Sequence, residues 1–185
     1  MLMMNNLIGF GVRRASGGGG GGSAWLPVAI SGLDTDDVGW NGYTLRQVIN
    51  SAVMANTGLS KVRVSFNAAS GGMVIGNAYI GMAAGSGDAY DFAGTPSELL
   101  FSGGSGVTVP SNGTSVSDEL TFTILPGGNL VISLQFTGGA DTKRKDPLTG
   151  WQSYYKSGAD AATVNASGYT TWKSALCISL VEAAA

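Results

Sequence analysis

Between Lys61 and Phe66 the chain alternates strictly, with Val62, Val64 and Phe66 apolar and Lys61, Arg63 and Ser65 polar. A period of two serves an extended strand with one buried face and one wet face, because successive side chains point to opposite sides of a sheet. Leu130, Ile132, Leu134 and Phe136 alternate in the same way with Val131, Ser133 and Gln135, after the turn Pro126-Gly127-Gly128-Asn129. Similar short runs span Trp25 to Ile30, Tyr43 to Ala52, Met73 to Met82, Leu99 to Phe101, Gly106 to Val109, Glu119 to Ile124 and Ser174 to Val181. Gly, Asn, Asp, Ser and Pro separate them, and no long helical period intervenes. The pattern predicts an all-β fold: one antiparallel β-sandwich of jelly-roll type, with roughly eight strands, over residues 24–185. Thirty glycines and a charged fraction of 12% fit short strands and tight turns better than helices. Val107, Val109, Leu120, Phe122 and Ile124 complete the expected core. Residues 137–173 lack the alternation and read as the longest loop insertion, the place where binding is expected.

Residues 1–23 read as a separate N-terminal arm. Six consecutive glycines, Gly17 to Gly22, form a flexible hinge with nothing to bury. Ahead of it, Leu2, Met3, Met4, Leu7, Ile8 and Phe10 make an apolar peptide that must find cover, so these residues are the expected partner-anchoring set. The peptide is too short for a membrane span, and Arg13 and Arg14 follow it where a cleavage site would be needed, so neither a signal peptide nor a membrane anchor is expected.

The formal net charge of −2 provides no field to gather phosphates, so nucleic acid and anionic membranes are not expected partners. Lys143, Arg144 and Lys145, the only basic run, read as a solvated loop tip. The single cysteine, Cys177, lies in an apolar run and reads as a buried thiol. The sequence contains no histidine, so it can assemble neither a Ser-His-Asp triad nor a histidine-ligated zinc site. No enzyme activity, catalytic residue, cofactor or metal is therefore expected. Asp34, Asp36 and Asp37 raise a calcium reading, but Val38 stands where an oxygen ligand is wanted and Leu45 where a closing Glu would be. An exposed acidic turn is the expectation. Asn112-Gly113-Thr114 and Asn165-Ala166-Ser167 match the glycosylation sequon and read as turns. Trp151, Tyr154, Tyr155, Tyr169 and Trp172 fall among Gly, Asp, Asn and Ser in the 137–173 region. They are the candidate glycan-binding surface, with ring packing at the open end of the sandwich as the alternative.

Three stretches together carry a resemblance: TLRQVINSAVMANTGLSKVRVSFNAASGG at 44–72, FSGGSGVTVPSNGTSVSDELTFTI at 101–124, and GNLVISLQFTGG at 128–139. They resemble the jelly-roll accessory domain that precedes the catalytic domain of some bacterial SGNH-type hydrolases. That resemblance implies the fold; the hydrolase's Gly-Asp-Ser motif is absent, and Ser86-Gly87-Asp88 reverses its order. The layout of apolar leader, glycine hinge and compact sandwich resembles structural proteins of tailed bacteriophages. It implies a non-enzymatic virion subunit, a capsid, neck or tail decoration or spike. Such a subunit would be bound to other virion proteins through residues 1–23 and would form a homo-oligomer, with a trimer as the expectation. The alternatives are a carbohydrate-binding accessory module and a virion protein that also binds host glycans.

Overall fold

The structure, a computed structural model, describes residues 23–185. The anchoring set Leu2, Met3, Met4, Leu7, Ile8 and Phe10 and the glycine run lie outside the described residues. In chain order the strands are β1 (Leu26–Ile30), β2 (Thr35–Asp37), β3 (Tyr43–Ile49), β4 (Lys61–Asn67), β5 (Met73–Met82), β6 (Ser97–Glu98), β7 (Val107–Val109) and β8 (Thr114–Val116). There follow β9 (Leu120–Thr121), β10 (Leu130–Gly138), β11 (Thr142–Lys145), β12 (Trp151–Ser157), β13 (Thr170–Thr171), β14 (Ala175–Leu176) and β15 (Ile178–Ala184). A single 3-10 turn, Ser51–Val53, is the only helical segment among the described residues.

One sheet has the order β1-β15-β4-β8, and the larger one contains β3-β10-β5 with β7 paired to β5. These eight strands divide four and four between two antiparallel sheets as nested Greek keys, which is the jelly-roll arrangement. Val62, Val64 and Phe66 of β4 share the core with Leu130, Ile132, Leu134 and Phe136 of β10, all fully buried. Each buried side chain of this size contributes about 1.5–3 kcal/mol. Val109 and Ile124 are buried as expected, while Val107, Leu120 and Phe122 are half-buried and pack at the margin of the core.

Several expectations need correction. Val131 and Ser133 alternate with the core residues yet are fully buried, because the outer face of the larger sheet is itself covered by a second apolar cluster. Phe92 and Tyr90 of that cluster lie against Val48 and Val131. Gly81 of β5 makes room for Phe92, since a Cβ there would stand 2.6 Å from its Cδ1. Leu99–Phe101 is not a strand, and the Glu119–Ile124 run shortens to β9. The missing length is supplied by β8, which pairs with Ser65–Asn67 while β9 holds Lys61 and Val62 at the other end of β4.

The largest correction falls on residues 137–173, which contain β11, β12 and β13 and are no irregular loop. Strand β12 pairs with β3 along its whole length, from Trp151↔Ile49 to Ser157↔Tyr43. Its inward face includes Ser153, whose hydroxyl donates to the carbonyl of Lys173, so its burial pattern is not purely apolar. A third, small sheet runs β14-β11-β2. The run Lys143–Lys145 is thus a half-buried strand and no solvated tip, and Asp34, Asp36 and Asp37 belong to its paired neighbour, part of strand β2 and the residue before it, where a free turn was expected.

Candidate functional site

The alternation of β12 decides where its aromatic residues go. Trp151 and Tyr155 point inward and Tyr154 outward, because neighbouring residues on a strand face opposite sides. Trp151 is 5% exposed and packs into the main core, apart from the other rings of the candidate set. Tyr154 and Tyr169 lie on the outer face, with centroids each 4.9 Å from that of Tyr90. Tyr155 and Trp172 come together in a separate group, with centroids 5.7 Å apart and planes at 82°.

Two rings absent from the sequence-derived set join them. Trp40 is nearly buried and forms the floor, edge to face with Tyr43 at 5.9 Å, Tyr155 at 5.5 Å and Trp172 at 5.7 Å. Tyr43 is the first residue of β3, one alternation step from Leu45, so its inward direction follows from the strand pattern. Trp40 carries no such signal, since it sits in a turn and reaches the other rings only through tertiary pairing. The rings enclose an open cavity of about 160 Å³ whose remaining wall is Asp37, Val38 and Gly39.

Asp37 orients this cluster. Its Oδ1 accepts from Trp40 Nε1 at 3.2 Å, and its Oδ2 accepts from Trp172 Nε1 at 3.1 Å. Arg144 Nε stands 3.3 Å from the same Oδ2, so the carboxylate is neutralised by β11. The charged run of β11 and the acidic run of β2 together hold two indoles in place. Trp172 remains 39% exposed, which makes it the accessible ring of the cluster. Lys173 Nζ lies 5.9 Å from its centroid and 3.2 Å from Asp146.

The outer face contains a different arrangement. Arg46 of β3 is fully buried without a carboxylate salt bridge among the described residues. Its guanidinium donates to the carbonyls of Tyr90 at 2.8 Å, Asp160 at 3.2 Å and Thr163, and its Cζ lies 4.8 Å from the Phe92 centroid. It therefore ties two covering segments, around Tyr90 and around 160–163, to the sheet. Burial pushes the Tyr169 phenol up to about 12 beside it. Cys177 is buried and its thiol is pushed well above the usual range by burial, so it is unreactive as a nucleophile. No cluster of three or more metal-ligating side chains occurs among the described residues. The aspartates of the calcium reading are paired instead: Asp34 with Lys145, Asp36 with Lys143 and Asp37 with Arg144. Asn112 and Asn165 are exposed.

No protein-family model matches the chain, and no curated protein does.

Proposed function

We propose that the chain is a non-enzymatic structural subunit of a tailed-bacteriophage particle, a decoration or spike domain held through residues 1–23 with its sandwich displayed outward. The observation that carries this reading is where the arm meets the fold. Ser23, the residue after the glycine run, donates its hydroxyl to the Ala185 carbonyl at 2.7 Å. The next strand, β1, lies at the edge of its sheet, with β15 as its only partner among the described residues. All eight strands of the jelly roll are thus supplied by residues after the glycine run, which leaves the apolar leader no strand of the sandwich to provide.

In this reading the subunit also self-associates, as a trimer. Support comes from a row across the smaller sheet, where Ile30 lies opposite Leu180, Leu180 opposite Ser65, and Ser65 opposite Val116. Ile30 is 63% and Val116 45% exposed, so this face has apolar area left to cover. The direct test is mass spectrometry of purified particles from the phage or prophage whose genome encodes the chain. The account expects it at a copy number divisible by three. Its absence from intact particles would refute the reading.

A further inference from the structure

The cavity formed by Trp40, Tyr43, Tyr155 and Trp172 performs no task in the attachment reading, and its geometry carries an inference independent of that reading. At about 160 Å³ it is well below the roughly 300–1,000 Å³ of sites for drug-sized ligands, so it suits one ring-sized group. Three classes of ligand use aromatic walls: quaternary ammonium ions, proline-rich peptides and sugars.

The charges and ring angles separate them. A cation needs converging ring faces or a free carboxylate. Here the rings pack edge to face against one another, at 73° between Trp40 and Trp172 and 85° between Trp40 and Tyr155, and Trp40 at their centre is nearly buried. Asp37 is the only acid in the wall, and its charge is taken up by Arg144 and both indole N–H groups. A proline-rich segment needs a groove several residues long, which a cavity of this size does not offer. An uncharged pyranose needs an exposed apolar ring for its C–H face and scattered donors and acceptors for its hydroxyls. Trp172 is the exposed ring, and Tyr43 and Tyr155, each carrying a phenol hydroxyl, line the wall. The backbone N–H groups of Val38 and Gly39, in the same wall, have no backbone partner among the described residues. Gly39 lines the same cavity, with nothing within 4 Å of where its Cβ would be.

We infer that this cavity is a binding site for a single uncharged pyranose unit of a glycan, with Trp172 as the stacking ring and Tyr43, Tyr155 and the Val38–Gly39 backbone as its polar contacts. Saturation-transfer NMR on the full chain tests it, with the methyl glycosides of glucose, galactose, rhamnose and N-acetylglucosamine as probes and sorbitol and choline as controls. At least one glycoside should take up saturation on its ring C–H protons. Trp172→Ala should weaken that glycoside by about tenfold, one stacking ring's worth. Tyr155→Phe preserves the ring and should weaken it by roughly three- to tenfold, the effect of one hydrogen bond. Saturation of the glycosides no stronger than that of sorbitol, a preference for choline, or a glycoside signal unchanged in both variants would overturn the inference. Particle incorporation is unaffected by these outcomes, so the attachment reading stands or falls separately.

Discussion

Lys143 on β11 lies directly opposite Asp36 on β2, and its Nζ is 2.7 Å from the carboxylate Oδ1. The two residues are 107 positions apart in sequence, and each belongs to a run of like charges. Each run alone would repel itself, and pairing in register gives every charge a partner. Lys143→Asp should destabilise by about 1 kcal/mol, the upper range for a partly exposed pair. Combining it with Asp36→Lys should restore most of the loss in a denaturant titration. A double variant as weak as the two singles summed would show that the pair does not couple.

The same sheet predicts an acid response. The hydrogen bond from Lys145, with that from Thr35, holds Asp34 below the usual aspartate value of 3.8. Hydrogen bonds from Ser174 and then Lys173 do the same for Asp146. Because the folded values are depressed, this stabilisation is fully present above the unfolded value near pH 4 and is lost as pH falls through the folded values. Melting temperature measured from pH 7 to about pH 2 should therefore fall less steeply for Asp34→Asn combined with Asp146→Asn. Parallel slopes would contradict the assignment.

Arg46 should be irreplaceable by lysine. Lysine presents a point charge where three carbonyls require a planar fork. Arg46→Lys should cost about 1–3 kcal/mol, and Arg46→Ala more, since it leaves buried carbonyls without donors. Hydrogen exchange should accelerate first in residues 158–169, which Arg46 ties down, before β4 or β10 is affected. Uniform acceleration across both sheets would argue that Arg46 supports the whole sandwich.

Gly81→Ala should destabilise by about 1–3 kcal/mol through overpacking, because Phe92 occupies the space of the missing side chain. Pairing it with Phe92→Leu, which shortens the obstructing ring, should recover part of the loss. A neutral Gly81→Ala in urea unfolding would mean that the segment carrying Phe92 lifts at little cost.

The jelly roll was legible wherever strands bury purely apolar side chains on one face, as β4 and β10 do. Strand β2 was not, because Thr-Asp-Asp has no apolar face and owes its place to a basic partner far along the chain. Strand β12 was obscured by Ser153, a polar residue that is buried because the Lys173 carbonyl accepts its hydroxyl. In the cavity, Tyr155 and Trp172 were found through composition, and the split of Tyr154 from Tyr155 follows from strand alternation. Trp40 could not be assigned, since only the fold brings its turn beside β12 and β13.

The central claim is that the arm anchors and the sandwich stands alone, and deletion of residues 1–16 tests it most directly. Burial of four of Leu2, Met3, Leu7, Ile8 and Phe10 against a partner would provide about 1.5–3 kcal/mol each, enough to offset part of the ordering entropy of a short peptide. The measurement pairs the melting temperature of the truncated protein with its occupancy on particles assembled in its presence. The account predicts a nearly unchanged melting temperature and no incorporation. Incorporation at full occupancy would place the anchor on the sandwich, and an unfolded truncated protein would make the leader part of the core.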